Sequence, residues 1–452
     1  MKRIITLLLV LAMVFSLAAC NKTESSSSNT SSTTDNKNTE TKTTDAPKDD
    51  NASGSVLDKA VTLTLWDIAV EGDGNRPAYD QALADLKAKY PNVTITETVT
   101  ENNAYKTKIK SAMGANELPD IFFTWAGAFL GDFVNAGKVH CLDDVLQKYI
   151  DNGEMTAAQL GNSTYNGKHY GVPTTYNIVT LFANMDILAQ VGYDHIPATM
   201  DELNDCCDKL LAKNIIPFGC AGKTDDTWCV TEYLEPIIEK TIGATALKDI
   251  MTFGKTWNNQ GVASSVDLLQ SMIKKGYFDP DGTALGNEEV KANFMSGKYA
   301  FYQNGSWNCG DFSNKDKVKF NVKAGEFPVV DAANGKLGML IGGPSDTIAV
   351  TEGPNAAAAA EYAVEFGRLI CHYGYLKGSG LPAWKVWGDT SEVLPLVQEV
   401  AGICANAVDY VLFGDNAMPA EEASIYLEYV SSVYGGAVDG KAFISGLTSE
   451  IR

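Results

Sequence analysis

Hydrophobic and polar positions alternate at Val61-Thr62-Leu63-Thr64-Leu65-Trp66 and again over 93–99. A period of two in β-branched residues predicts half-buried strands. Between them Ala78, Leu83, Leu86 and Ala88 predict a helix over 76–90 that Pro91 ends. A helix over 103–113 and a third strand over 118–123 follow. Strands alternating with helices in this way predict βαβ units, a largely parallel sheet and an α/β fold. Helical patterns at 186–191, 200–213, 262–275 and 288–296 and a strand at 298–303 extend the pattern. Residues 356–371 form an alanine-rich helix for which Asn355 is the expected cap. The last hundred residues read as mostly helical, and no repeat of solenoid length is present.

The first residues follow another pattern. Met1-Lys2-Arg3 precedes an apolar run over 4–19, broken by Thr6 and Ser16 and closing on Leu17-Ala18-Ala19-Cys20. A charged start, an apolar middle and small residues at the end predict a signal peptide, 1–19. The run is too short and too early for a membrane span. The tetrapeptide resembles a bacterial lipobox, which implies cleavage before Cys20 and lipidation of that cysteine. The diacylglyceryl group so implied brings two acyl chains, and two anchor stably where one does not. Residues 20–57 are then a lipidated cysteine and a linker of Ser, Thr, Asn, Asp and Lys, too polar to fold. A tether of about 35 residues spans roughly 30–35 Å.

Composition narrows the function classes. The chain has 452 residues, length for two to three domains. Acidic residues number 56 against 36 basic, a net charge of −20. That excess argues against nucleic acid, which needs a basic footprint, and against electrostatic attachment to anionic lipid. Eight cysteines follow Cys20 at no zinc spacing, and their apolar surroundings predict small buried side chains, with pairing left open. There is no G-x-S-x-G elbow and no H-E-x-x-H. The stretch from Gly161 to Lys168 departs from a phosphate loop, with five residues between its glycines. Asp279-Pro280-Asp281-Gly282 lacks the central Gly and terminal Glu of a calcium loop and reads as a lead into an Asn287 helix cap. No catalytic residue, metal or cofactor is predicted.

Five segments in order resemble the extracellular solute-binding proteins of carbohydrate ABC transporters, the family of maltodextrin-binding-protein type. They are Leu118-Pro119-Asp120-Ile121-Phe122-Phe123-Thr124-Trp125 with Ala136-Gly137-Lys138-Val139; Asn166-Gly167-Lys168-His169-Tyr170-Gly171-Val172-Pro173; Ile196-Pro197-Ala198-Thr199-Met200-Asp201-Glu202-Leu203; Phe294-Met295-Ser296-Gly297-Lys298-Tyr299-Ala300-Phe301 leading to Gly305-Ser306-Trp307; and Ser379-Gly380-Leu381-Pro382-Ala383. The chain departs from the family at Met200, where Trp is usual. The resemblance implies a two-lobed periplasmic-binding-protein-like fold of type II, with the ligand cleft between lobes and three hinge crossings. We expect those crossings at 171–175, 326–330 and 378–382, where Gly or Pro accompanies extended chain. Lobe 1 is then 58–172 plus 330–378, and lobe 2 is 173–329 plus 379–452.

The implied function is capture of a sugar, most simply an oligosaccharide, and its delivery to ABC permease subunits. The protein would act as a monomer at the outer face of the bacterial cytoplasmic membrane, held through its lipid alone. A sugar presents C–H faces to aromatic rings and hydroxyls to polar side chains. Trp66 and Asp67 end the first strand and Trp125 the third, where open sheets bind ligands. The resemblance adds Trp307 as a stacking ring and Asp225 with Trp228 as an aromatic-plus-acid pair. Tyr176 and Asn177 follow the first crossing, Gly343 allows close backbone approach, Trp384 follows the last crossing, and Asp415 lies between late helices. The alternatives are a non-sugar solute, a sensor subunit that signals to a receptor, and a surface glycoside hydrolase.

Overall fold

The two alternating segments at the start of the body become neighbouring parallel strands. The structure, a computed structural model, describes residues 54–451, so the signal peptide, Cys20 and nearly all of the linker lie outside the described residues. The chain runs β1 (Val61–Asp67), α1 (Arg76–Lys89), β2 (Val93–Val99), α2 (Asn102–Ala115) and β3 (Ile121–Trp125). It continues through β4 (Val172–Asn184), β5 (Ile216–Gly219), α3 (Trp228–Ile242), α4 (Asn287–Met295), β6 (Tyr299–Gly305), β7 (Val322–Gly325) and β8 (Met339–Val350). After these come α5 (Ala356–Lys377), β9 (Leu381–Pro382) and β10 (Asp409–Val411), with further helices covering the second half.

Local chemistry explains the boundaries. Pro77 sits in the first turn of α1, where a missing N–H costs nothing. The Glu101 carboxylate caps α2 by accepting from the Asn103 N–H, and Asn116 ends that helix at φ 60°, a left-handed conformation that Asn tolerates. The helix α5 runs to Lys377, beyond the expected Cys371, and stops at Gly378 at φ 88°. Asn355 precedes α5 but does not cap it with its side chain. Its Nδ2 donates instead to Asp120 at 3.0 Å, tying the helix start to the strand below. Asn287 is likewise inside α4 rather than its cap, and its N–H donates to the Asp226 carboxylate at 2.9 Å.

Strand order in the ten-stranded sheet is β2-β1-β3-β8-β4-β6-β5, with β7 and β9 also pairing with β4 and β10 with β8. β1 is parallel to β2 and β3, and β5 is parallel to β6. β8 is antiparallel to both β3 and β4, and β4 is antiparallel to β6, so the sheet is mixed rather than largely parallel. The cause is that β4 and β8 are long strands shared by two halves of the molecule.

Each half has its own core. Leu63, Leu65, Phe122, Phe133 and Phe366 are buried in the first. Phe218, Ile237, Phe301 and Tyr426 are buried in the second, and Phe182, Phe294 and Phe312 cover the other face of its sheet. Each such side chain contributes about 1.5–3 kcal/mol by leaving water. β4 places Val172 in the first core and Leu181 in the second, while β8 places Ile341 in the second and Ile348 in the first. Both strands therefore cross between lobes. The fold is the expected two-lobed one.

One crossing is not where it was expected. Residues 326–330 lie within the second lobe, where Phe327 is 3% exposed. The crossing is instead made by β8 around Gly342, Gly343 and Asp346, where its register against β4 shifts. The glycine pair reads locally like a turn, but two strands must pass here at close range. Gly342 (φ 138°) would place a Cβ 2.2 Å from the Asn177 carbonyl oxygen. The third crossing overruns its expected end. Leu381 belongs to the second lobe, but Ala383 and Trp384 pack into the first core before the chain returns at Val393.

A polar network closes the hinge. Asp346 accepts from Thr175 Oγ1 at 2.9 Å and from Asn177 Nδ2 at 3.2 Å. Ser306 Oγ donates to Asn177 Oδ1 at 2.9 Å and accepts from the Ile178 N–H at 3.1 Å. Both crossing strands and the loop after β6 are thus fixed together. We predict that Gly342→Ala lowers stability by at least about 2 kcal/mol, because its Cβ meets backbone that cannot move alone. Thermal melts beside a Gly353→Ala control, whose Cβ meets open space, check this.

Candidate functional site: the interlobe cleft

The carboxyl ends of β1 and β3 open onto a cleft of about 1010 Å³ between the lobes. The first lobe supplies the loop after β1, the start of α2 with Asn103 and Lys106, and Trp125 at the end of β3. The second supplies Trp228 and Glu232 on α3, the start of α4, and Trp307, Phe413, Asp415 and Asn416.

Three rings from the second lobe form one aromatic wall. The Trp307 ring lies 6.0 Å from Trp228 and 6.0 Å from Phe413. Trp307 folds back over the end of β6, and a Cβ on Gly305 would lie 2.0 Å from its ring. Opposite, Trp125 is 7% exposed, wedged against Phe123 and Phe129, with Lys106 Nζ 4.8 Å above its ring.

The polar groups are unusual because several lack partners. Trp228 and Glu232 are one helical turn apart and share a face of α3. Pro236 in that helix has no N–H to give to the Glu232 carbonyl. Gln303 Nε2 donates to that carbonyl instead, at 2.6 Å, and pins the turn carrying Glu232 to β6. Trp228 Nε1, Glu232 Oε2 and Asn416 Oδ1 are buried and find no hydrogen-bond partner among the described residues. Each such group costs about 1–3 kcal/mol. Glu232 is 2% exposed, and burial, then Glu235 and Asp415, holds its carboxyl protonated well above the usual range. Burial first and Asp415 second push Glu235 up to about 8, against its bonds from the Gly414 N–H and the Tyr426 hydroxyl.

Two polar contacts join the cleft walls. Lys106 Nζ lies 3.0 Å from Asp415 Oδ2, and Asn103 Nδ2 donates to Asp226 Oδ1 at 2.9 Å. The other Asp226 oxygen holds the first N–H of α4, so this carboxylate serves both the helix start and the contact between lobes.

Of the residues singled out from the sequence, Trp125, Asp225, Trp228, Trp307 and Asp415 line the cleft together. The other six do not line it. Trp66 is half-buried with Lys108 Nζ 4.3 Å over its ring. Asp67 is fully buried, accepts from the Ala69 N–H at 2.9 Å, and is pushed to about 8 by burial and then Glu97. Tyr176 packs edge-on against Tyr410, and Asn177 and Gly343 belong to the hinge. Trp384 is in the first core, its Nε1 donating to the Pro173 carbonyl at 2.7 Å. A strand end or a crossing is close to the cleft in sequence, but the direction of each side chain depends on the sheet's pleat. Glu232, Asn416, Asn103 and Lys106 were missed. Only Glu232 carried a readable signal, its four-residue spacing from Trp228.

A family model for bacterial extracellular solute-binding protein matches residues 81–371. The chain belongs to the bacterial extracellular solute-binding proteins. A solved structure from xylan utilization by the thermophilic bacterium Caldanaerobius polysaccharolyticus is 30% identical, with a TM-score of 0.82, covering 87% of this chain and 100% of its own. A chitin oligosaccharide binding protein is 23% identical with a TM-score of 0.79, covering 86% of this chain and 98% of its own, a likeness of fold. An uncharacterized ABC transporter extracellular-binding protein of Pyrococcus horikoshii is 23% identical over 57% of this chain and 58% of its own length. The match thus spans little more than half of that relative. The family and the structural neighbours are binding proteins rather than enzymes.

The carboxyls of this solute-binding protein determine how its stability varies with pH. Burial raises Asp67, Glu235 and Glu239 to about 8 and Asp346 to about 6, and holds Glu232 well above its ordinary value. The native state therefore holds more protons than the unfolded chain between these values and the ordinary carboxyl range, and unfolding releases them. Stability is full below that range and is lost as pH rises through 6 to 8. His372, lowered by burial, opposes this only near its own range. Melting temperature is expected to fall by several degrees from pH 5.5 to 8.5, and Glu239→Gln is expected to flatten the slope.

Proposed function

We propose that this protein captures an oligosaccharide in the interlobe cleft and delivers it to an ABC import permease. The observation that carries this is the set of buried unpartnered atoms, Trp228 Nε1, Glu232 Oε2 and Asn416 Oδ1, beside the rings of Trp307 and Phe413. A sugar's hydroxyls can both donate and accept, so one ligand can satisfy the Trp228 donor, the Asn416 acceptor and the protonated Glu232 carboxyl at once. The C–H face of the same ring covers the aromatic wall. Groups from both lobes reach such a ligand only when the cleft is closed, so binding favours the closed form. The extracellular family fits the signal peptide read at 1–19, and lipidation at Cys20 would hold the protein beside the permease. The relatives with xylan and chitin oligosaccharides in their descriptions support β-linked sugars as the first to try.

A titration of xylo-, chito- and malto-oligosaccharides, followed by tryptophan fluorescence and melting temperature, tests the reading. One class is expected to bind saturably and to be recovered intact, with Trp307→Ala weakening it at least tenfold. Silence across the panel overturns the sugar assignment, and a cleaved product overturns simple capture. Trp228→Phe is a sharper test. It removes a buried donor worth about 1 kcal/mol once paired, so affinity is expected to fall about fivefold. The unliganded protein is expected to lose only the packing of the smaller ring against Trp307, and no hydrogen bond, because that donor has no partner to lose. Unchanged affinity in Trp228→Phe would mean that Nε1 does not face the ligand.

A further inference from the structure

The charge on the cleft wall separates sugars that are otherwise alike. Eleven carboxyl-bearing residues line the cleft against three lysines, with no arginine or histidine among the described lining residues. Two of the lysines are already paired. Lys106 is held by Asp415 at 3.0 Å, and Lys291 by Glu288 at 2.7 Å and Asp311 at 3.4 Å. The third, Lys223, is exposed at the rim. Recognition of a carboxylate, sulfate or phosphate calls for an unpaired cation, best an arginine fork. None stands inside this cleft among the described residues.

The deep end points the same way. Glu232 is 2% exposed, lines the cleft, and leaves Oε2 without a partner. Asp415 and Glu235, both acidic, are the side chains that act on it, and no cation does. Whether protonated or ionised, it can meet a hydroxyl, as donor or as acceptor. A ligand carboxylate placed there finds neutral donors at most, the protonated Glu232 and Trp228 Nε1, and no free cation to balance its charge, since Lys106 is committed to Asp415. An unpaired charge buried against Glu232 is poorly solvated, and this is costly.

We propose that the cleft is a charge filter, taking neutral oligosaccharides and rejecting the same oligosaccharides when they carry a uronate or another anionic substituent. This rests on the sugar reading above. For a glycan that carries uronic-acid branches, uptake through this protein would then follow removal of those branches by a hydrolase outside the cell.

The test compares three probes on the full chain by calorimetry. They are a linear xylo-oligosaccharide, the same backbone with a single glucuronic acid branch, and that branched form after reduction of its carboxyl to a neutral alcohol. The expected result is similar binding of the linear and reduced forms, with the uronate form at least tenfold weaker, about 1.4 kcal/mol. The gap is expected to narrow in Glu71→Gln/Glu289→Gln, which removes two rim charges. Equal binding of uronate and reduced forms overturns the filter. Equal weakening of both branched forms also overturns it, because shape and not charge is then excluded. If the linear probe does not bind, the same three-form comparison is run on the chito- or malto-oligosaccharide that does, with an oxidised C6 as the anionic form. No binding by any neutral sugar overturns the sugar reading and the filter with it.

Discussion

Two strands must pass from one hydrophobic core to another without leaving a buried peptide group unpaired. Most of the molecule is arranged around that constraint. β4 and β8 meet it by pairing with each other and with the strands of both lobes. Their close approach admits no side chain at Gly342, and the register shift that follows places Asp346 inward. The half-buried carboxyl there is held by Thr175 and Asn177, which both donate to it. Ser306 extends the same network to the loop that holds Trp307, so hinge geometry and the position of this cleft ring are linked by hydrogen bonds.

The cleft wall carries polar groups at a cost in stability. Unpartnered groups at Trp228, Glu232 and Asn416 weaken the unliganded protein by more than a well-packed apolar wall would. They are maintained by a rigid support, the proline-broken turn of α3 held by Gln303 on β6. Glu235 and Glu239 continue the same acidic face into the second lobe, where the Glu239 oxygens are also without hydrogen-bond partners among the described residues. Burying this many carboxyls is possible because the lobe core is large enough to compensate and because burial holds them protonated.

What could be read from the sequence follows from the range of the interactions involved. The strands at 61–67 and 93–99 and the helix ended by Pro91 are local patterns, and they stand within a residue or two of expectation. Trp307 and Trp228 were marked as cleft groups by the family resemblance carried at Gly305-Ser306-Trp307 and Asp225–Trp228, and both line it. Trp66, Asp67 and Trp384 had equally suggestive positions and point elsewhere, because a one-residue change of register turns a side chain to the other face. The second crossing was misplaced for a related reason. A Gly-Gly pair within a strand and one in a turn look the same until the neighbouring strand is known.

By itself the sequence determined the fold class, the family and the identity of several cleft rings, since periodicity, turn chemistry and ordered motifs are properties of short segments. It also determined the net charge of −20, while the placing of those charges around the cleft came from the tertiary structure. Tertiary structure alone decided which polar groups meet. Lys106 and Asp415 are over 300 residues apart in the chain and 3.0 Å apart in space. Gln303 reaches Glu232 across 71 positions. Such contacts depend on how two lobes are set by strands that pass between them, and no local pattern encodes that distance.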